Sequence, residues 1–100
     1  MIETEVVRIP AQPGRAEELA TALSEARSDG YLTGPRCVAL RALVSERGDE
    51  VIAVVDWRSR NDHDEALKEP AAGELFEKVA ELAAGEPALG WYRVGAERWS

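Results

Sequence analysis

His63 is the only histidine among the 100 residues of the chain, and imidazole is the side chain that most readily exchanges a proton near neutral pH. It is therefore the candidate for a general acid or base. Asp62 and Asp64 flank it in the sequence, and a carboxylate that approaches an imidazole favours its charged form. The competing and favoured interpretation is a histidine that packs on a helix or faces solvent, because no residue nearby in the sequence completes a catalytic set.

Trp57 ends an apolar segment that begins at Val51. An indole at the end of a strand could border a cleft and stack on a flat substrate. The alternative is that Trp57 fills the core between a sheet and its helices, which is where large aromatic side chains are usually found. The packing role is the favoured interpretation, and a role in a cleft stays open.

Several reaction classes lack the residues that they need. The single cysteine, Cys37, cannot form a disulfide within the chain, and with one histidine it cannot complete the usual four ligands of a zinc site. A nucleophile elbow, a phosphate-binding loop and a dinucleotide-binding glycine motif are absent from the sequence. We therefore predict no metal site and no bound cofactor, and we expect Cys37 to be inert packing.

The charge balance restricts the partners of the chain. Its 12 basic and 19 acidic residues give a net charge of −7, and the basic residues form no run. Nucleic acids and anionic membranes both require clustered Lys and Arg, so neither is an expected partner. The given N-terminus lacks the basic region and following apolar segment of a signal peptide, so none is expected. No apolar segment is long enough to cross a membrane. The expected location is the cytoplasm.

The spacing of apolar residues predicts a strand, a helix, two strands, a helix in two pieces and a last strand. Ser59, with Asp62 three residues later, has the pattern of a helix N-cap. This order is the split βαβ pattern of a ferredoxin-like α+β domain with a four-stranded antiparallel sheet, and the length fits one domain over residues 1–100. The predicted strands are Ile2–Ile9, Cys37–Ser45, Val51–Trp57 and Leu89–Glu97, and the predicted helices are Arg15–Ser28, Asn61–Glu69 and Ala71–Ala84.

The two central strands are predicted to form a hairpin around a tight Gly48–Asp49 turn. With the turn centred there, Arg41 lies opposite Asp56. The two would form a cross-strand ion pair on the face away from the helices, with Arg93 of the last strand beside them.

Both faces of this hairpin are largely apolar. The segment Val51–Val55 does not alternate apolar and polar residues, as a sheet with one wet face should. Two helices from one chain cover only one face, so a second copy of the chain is the simplest cover for the other. We therefore predict a homodimer, whose interface contains Arg41, Leu43, Ile52, Val54, Asp56 and Arg93.

The sequence resembles the antibiotic biosynthesis monooxygenase family, a branch of the dimeric α/β-barrel proteins. The resemblance covers nearly the whole chain and depends on the combination and order of several segments more than on any one motif. They are Gln12–Glu18 at the first strand–helix turn, Gly34-Pro35 before the second strand, Val51–Ser59 in the third strand, and Asn61–Asp64 in the following helix.

The resemblance implies a homodimer with two sheets face to face, helices outside, and a ligand cleft between each sheet and its own helices. Some relatives oxidise aromatic polyketides with oxygen and no cofactor, and others modify small quinones or degrade haem. The haem-degrading relatives carry an asparagine on the first strand and a histidine about ten residues after the tryptophan. Here the first strand has no asparagine, Leu67 stands ten residues after Trp57, and His63 is out of step, so haem ligation is disfavoured.

The cofactor-free relatives use asparagine, tryptophan, tyrosine and arginine side chains in the cleft, where a polar group deprotonates a phenol or stabilises its anion. The candidates for these cleft side chains here are Trp57, Asn61, Tyr31, Tyr92 and Arg93. Together with the acid–base chemistry of the only histidine, this makes His63 and Trp57 the predicted catalytic residues. The predicted ligand pocket consists of Tyr31, Trp57, Asn61, His63, Leu67 and Phe76.

Three functions remain open at this point. The first is a cofactor-independent monooxygenase that acts on a small aromatic or quinone-like molecule. The second is a non-catalytic homodimer, related to stress or to the binding of a small apolar ligand. The third is a structural or interaction module. The fold alone does not choose among them.

Overall fold

The computed structural model describes residues 2–28 and 37–98, and its elements follow the predicted order. The chain is an α+β domain of the ferredoxin-like type, as predicted. The strands are β1 (Glu3–Pro10), β2 (Cys37–Val44), β3 (Glu50–Trp57) and β4 (Ala88–Tyr92), and the helices are α1 (Ala16–Ser28), α2 (Arg60–Ala66) and α3 (Pro70–Leu82).

The four strands form one antiparallel sheet in the order β2-β3-β1-β4. Helices α1 and α3 pack on one face of this sheet because each carries buried apolar residues at helical spacing. Those of α1 are Ala16, Leu19, Leu23 and Ala26, and those of α3 are Ala72, Val79 and Leu82. The core therefore lies between the sheet and these two helices.

Strand β3 shows how the sheet distributes its residues between two faces. Val51, Ala53, Val55 and Trp57 are buried on the face that the helices cover. The alternate residues of the same strand are only half-buried. We call the first side the helix-covered face. The second is the open face, which carries Thr4, Val6 and Arg8 of β1, Ile52, Val54 and Asp56 of β3, and Arg41 and Leu43 of β2.

The predicted register of the hairpin is wrong by two residues. Arg41 lies opposite Val54, and Asp56 lies opposite Ala39. The predicted Arg41–Asp56 ion pair is therefore replaced by a hydrogen bond from the Thr4 hydroxyl to Asp56 at 2.7 Å. Because the error is an even number of residues, each side chain stays on the face that was predicted for it.

The cause of the register error is Ser45. Its backbone N–H donates to the Glu50 carbonyl at 3.0 Å, and its hydroxyl oxygen accepts from the backbone N–H groups of Asp49 and Glu50, each at 3.2 Å. These bonds close a four-residue loop instead of the two-residue turn. Gly48 does take a turn conformation there, with a φ of +70° that favours glycine.

The C-terminal part of the chain also differs from the prediction. Strand β4 ends at Tyr92, five residues before the predicted end, and Arg93 lies exposed beyond it. The predicted pocket residue Tyr31 and the Gly34-Pro35 turn lie outside the described residues. Over the described ranges, no helix is long and apolar enough to cross a membrane.

Candidate functional site

Helix α2 starts at a cap that the sequence predicted. The Ser59 hydroxyl oxygen accepts from the backbone N–H of Asp62 at 3.1 Å and donates to the Asp62 carboxylate at 3.0 Å. Such a cap satisfies N–H groups that have no partner within the helix. Because Ser59 comes two residues after Trp57, the cap turns the chain from β3 back over the end of the sheet. His63 is thereby brought against the helix-covered face, where it is buried.

Glu5 is the buried carboxylate that receives this histidine. Its side chain lies on β1 opposite Val55, on the helix-covered face, and the residue is 6% exposed. The Trp57 indole N–H donates to Glu5 Oε1 at 3.1 Å, and His63 Nε2 lies 3.4 Å from Glu5 Oε2. A buried carboxylate without such partners would be strongly destabilising, so these contacts permit its burial.

The His63 ring is held between two indoles. It meets Trp57 edge-on, with centroids 5.2 Å apart, and meets Trp91 of β4 edge-on at 4.8 Å. Outside Trp91, the Arg60 guanidinium lies 3.9 Å from the ring centroid, which is cation–π distance. The imidazole is therefore fixed by aromatic packing from both β3 and β4.

Both nitrogens of His63 face carboxylates. Nε2 faces Glu5, and Nδ1 lies 3.0 Å from Oδ1 of Asp64, which is exposed. A doubly protonated imidazole can donate to both, whereas a neutral ring leaves one nitrogen lone pair facing an oxygen unless that carboxyl carries a proton. The Glu5 carboxylate and the His63 imidazole therefore lie within reach of each other. We call these two side chains the Glu5–His63 pair.

A cavity of about 430 Å³ opens beside this pair, between the sheet and α3. Among its described lining residues, only Glu5 and His63 carry titratable groups. Leu67, Phe76 and Leu89 border it and are 41%, 51% and 54% exposed. Its wall includes Val7, Ile9, Leu23, Val55, Leu75 and Val79.

The structure places four of the predicted pocket residues on this cavity: Trp57, His63, Leu67 and Phe76. Asn61 is exposed on α2 and is not among the described residues that line the cavity. Tyr92 pairs with Thr4 and points to the open face, away from the cavity, so the interpretation of Tyr92 as a cleft residue does not fit the geometry.

Trp57 is completely buried, so the packing interpretation describes it well. Its N–H also orients Glu5, which gives it a positioning role that the sequence did not suggest.

Sequence reasoning missed Glu5, Trp91 and Arg60. A signal for Glu5 was present, because it is in phase with Val7 and Ile9 on a strand and must face the same side as they do. The contacts of Trp91 and Arg60 depend on how β4 meets the start of α2, and nothing in the sequence specifies that contact.

No protein-family model and no curated protein sequence matches this chain. Solved structures do. Rv0793 from Mycobacterium tuberculosis matches with a TM-score of 0.79 and 20% identity, over 97% of this chain and 98% of that one. A Bordetella bronchiseptica protein assigned to the antibiotic biosynthesis monooxygenases matches with a TM-score of 0.82 and 22% identity, over 95% and 98%.

A third match is SnoaB, a cofactor-independent oxygenase from Streptomyces nogalater, in an asparagine-to-alanine variant. Its TM-score is 0.80 at 15% identity, over 96% of this chain and 95% of that one. The chain has the fold of the antibiotic biosynthesis monooxygenases. The resemblance seen in the sequence is confirmed for the monooxygenase fold over almost the whole chain. At these identities the likeness establishes the fold and not the reaction.

Proposed function

We propose that this chain is a cofactor-independent monooxygenase that acts on a small aromatic or quinone-like molecule bound in the cavity. The observation that carries the proposal is the buried Glu5–His63 pair on the wall of a cavity that is otherwise apolar. A proton-exchanging pair in such surroundings has the two properties that the reaction needs. It can remove a proton from a ring hydroxyl, and the walls of the cavity beside it are mainly apolar.

The apolar wall fits a flat ligand, and the Glu5–His63 pair gives it one orientation. A ring hydroxyl placed against the pair can donate to Glu5, whose carboxylate has lone pairs beyond those facing Trp57 and His63. Because the indoles of Trp57 and Trp91 fix the imidazole, the pair needs little rearrangement when the hydroxyl loses its proton.

The reaction then starts from the anion of the ring hydroxyl, which is rich in electrons. The anion gives one electron to oxygen, the two radicals combine at a ring carbon, and the hydroperoxide formed there loses water to leave a carbonyl. For a hydroxyarene whose keto tautomer contains a CH2 group, the overall change is CH2 and O2 to C=O and H2O. One oxygen atom enters the ring, the other leaves as water, and the four electrons come from the carbon that is oxidised.

A second candidate function is binding without turnover. The observation that favours it is the mutual satisfaction of Glu5, Trp57 and His63, which stabilises the fold without any substrate. In that case the cavity would hold a small apolar ligand and the Glu5–His63 pair would be structural. The two candidates differ in oxygen consumption, which only the first requires.

We also propose that the chain is a homodimer whose interface is the open face. Support comes from half-buried Val6, Ile52 and Val54 and exposed Leu43, which form an apolar surface that no helix of the described residues covers. Arg41 and Asp56 belong to this surface. Arg93 follows β4 at its border, and its place in the interface stays a prediction, as does the cytoplasmic location.

The test of the enzymatic proposal is oxygen uptake by the purified protein with a panel of naphthols, anthrones and quinols, corrected for uncatalysed oxidation. We expect His63→Ala and Glu5→Gln each to lower the rate about 100-fold or more, the usual contribution of general acid–base catalysis. Lys68→Ala is the matched control, because Lys68 is exposed just beyond α2 and bonds to Glu65.

Absence of uptake with every compound, or an unchanged rate in His63→Ala and Glu5→Gln, would refute the enzymatic proposal. Tight binding of the same compounds without oxygen uptake would support the second candidate instead. Trp57→Phe keeps an aromatic ring at this buried position and removes the donor to Glu5 together with part of the ring volume.

A further inference from the structure

We infer that the ligand is a phenolic compound with one polar end and a long apolar tail, and that the tail leaves the cavity past Phe76. This inference rests on the proposed function for the polar end of the site and adds the shape and chemistry of the rest of the ligand. It follows from the position of Glu5 and His63 at one end of the cavity and from the apolar surface that continues beyond the other end.

The titratable lining residues are confined to one end of the cavity. Along β1 the positions that face it are Glu5, Val7 and Ile9. At about 3.3 Å per residue, Glu5 and Ile9 are roughly 13 Å apart, so the cavity extends well beyond the length of one hydrogen-bonded group. Among the described residues, the lining beyond the Glu5–His63 pair is hydrocarbon. A ligand with polar groups at both ends would leave one of them without a partner there.

The apolar surface does not stop at the cavity. A second depression of about 540 Å³ lies beside it, and the two share Phe76, Val79 and Pro87. Its lining adds Ala80, Ala83, Ala84 and Gly85, which leave room for a chain of methylene groups, and one charged residue, Glu86, which is exposed.

The second depression lies at the end of the sheet away from the Glu5–His63 pair. Ala84 donates its backbone N–H to the Pro10 carbonyl at 2.8 Å, and Ala83 forms a bridge with Ala11. The C-terminal end of α3 is therefore beside the end of β1, five residues beyond Glu5 in the sequence. The cavity and the second depression together form one track, lined mainly by apolar residues with exposed Glu86 in the second depression, that leads away from the Glu5–His63 pair.

The identity of the polar end follows from Glu5. Its carboxylate accepts hydrogen bonds, so a ligand hydroxyl can donate to it. A carboxylate on the ligand would instead face the Glu5 carboxylate at a site where little water screens the repulsion. A phenol with an apolar tail is thus favoured over a fatty acid of the same length.

The exposed apolar rim supports the same conclusion. Leu67, Phe76 and Leu89 are each about half exposed around the opening of the cavity. A tail that passes between them would remove part of this surface from water, and each buried methylene adds up to about 0.8 kcal/mol.

The first experiment measures the affinity of 4-ethyl-, 4-butyl- and 4-octylphenol by isothermal titration calorimetry. We expect the dissociation constant to fall about two- to fourfold for each added methylene, and the gain to continue from butyl to octyl. Nonanoate is the comparison for the polar end, and we expect it to bind at least tenfold more weakly than 4-octylphenol. An affinity that is independent of chain length, or equal binding of nonanoate, would overturn the inference.

The second experiment uses Ala80→Glu, which places a charge in the second depression at an exposed helical position. We expect it to abolish the gain between 4-butylphenol and 4-octylphenol and to leave 4-ethylphenol binding within about twofold. Ser24→Glu adds the same charge on the exposed side of α1 and should change neither. Equal losses for short and long phenols in Ala80→Glu would contradict the track.

Oxygen uptake with a short hydroxyarene separates this inference from the proposed function. If short compounds are oxidised but the affinity does not depend on chain length, the inferred apolar tail is refuted and the proposed monooxygenase activity is not. If the affinity depends on chain length but no oxygen is consumed, the inferred apolar tail is supported and the proposed monooxygenase activity is refuted.

Discussion

Val51, Ala53 and Val55 on the helix-covered face of the sheet are buried, whereas Ile52 and Val54, their neighbours on the same strand, are only half-buried. The residue types hardly differ between the two sets. What differs is the cover, because helices α1 and α3 shelter one face and no helix of the described residues lies on the other. The strand therefore carries two apolar surfaces, one completed within the chain and one suited to a second molecule.

The polar residues of the two faces also differ in how deeply they are buried. On the open face, Arg8 reaches Glu50 at 3.0 Å and the Arg8 side chain is 62% exposed. Such a pair contributes little to stability because water screens it. On the helix-covered face, Glu5 is buried with Trp57 and His63 as its partners. The buried polar group therefore lies on the helix-covered face, beside the cavity, and the exposed ion pair lies on the open face.

The largest expected effect comes from removing an aromatic ring from the helix-covered face. Trp57→Ala should lower the free energy of unfolding by about 3–5 kcal/mol, since it leaves a cavity and removes a donor to Glu5. Tyr92→Ala on the open face should cost about 1 kcal/mol or less, because Tyr92 is 59% exposed. Urea denaturation at a fixed protein concentration measures both. Equal losses of unfolding free energy in the two variants would contradict the difference in burial between the two faces.

A charge on the open face should act on association. Val54→Asp places a carboxylate among Val6, Arg41 and Ile52, so we expect the dissociation constant of the homodimer to rise about 100-fold or more. Sedimentation velocity over a range of concentrations measures it, with Thr21→Asp on the exposed side of α1 as the control. A wild-type protein that is a stable, folded monomer at micromolar concentration would contradict the predicted homodimer.

A smaller effect is expected at the start of α2, which holds His63 against the helix-covered face. Ser59→Ala removes the cap, so the unfolding free energy should fall by about 1 kcal/mol. Ser24→Ala, at an exposed position inside α1, is the matched control. Loss of oxygen uptake in Ser59→Ala with little loss of stability would show that the cap positions His63.

The smallest effect belongs to the outer surface of the helices, where neither face of the sheet is involved. Arg15 donates to the Glu18 carboxylate at 2.9 Å and holds the pKa of Glu18 below its usual value, and Lys78 acts in the same direction. A lowered pKa in the folded state adds stability at neutral pH that is lost as the pH falls through that value.

Glu18→Gln should therefore be slightly less stable than wild type at pH 7, and the difference should be smaller at acid pH, for example at pH ~3. Thermal unfolding at both pH values measures the difference, with exposed Glu77→Gln as the control. A stability difference between the two proteins that grows towards acid pH would contradict a lowered pKa of Glu18 in the folded state.

The sequence predicted the order of helices and strands along the chain and the assignment of residues to faces, because both depend on local spacing. A strand places alternate residues on opposite sides whatever its neighbours are, so Val54 and Val55 could be assigned without a structure. The hairpin register depends on one side chain, Ser45, whose hydroxyl closes a four-residue loop where Gly48 and Asp49 suggested a shorter turn. Two loops of different length can carry the same turn residues, and the sequence does not distinguish them.

The candidate site was predicted in part. The positions of Trp57 and His63 follow from the end of β3 and the capped start of α2, which are neighbours in the sequence. Glu5 and Trp91 reach the same place from the two ends of the described chain, and such long-range contacts leave little trace in a single sequence. Strand phase alone would have placed Glu5 on the same side as Val7 and Ile9, but it does not identify the partners that permit the burial of a carboxylate there.

The hydrogen bond between Trp57 and Glu5 joins residues 52 positions apart, and the ring contact between His63 and Trp91 brings in the last strand. Pairing of distant segments is the slow part of folding. The complete set of contacts around the Glu5–His63 pair consequently requires β1, β3, α2 and β4 together. Any catalysis by this protein would therefore depend on contacts between segments that lie far apart in the sequence.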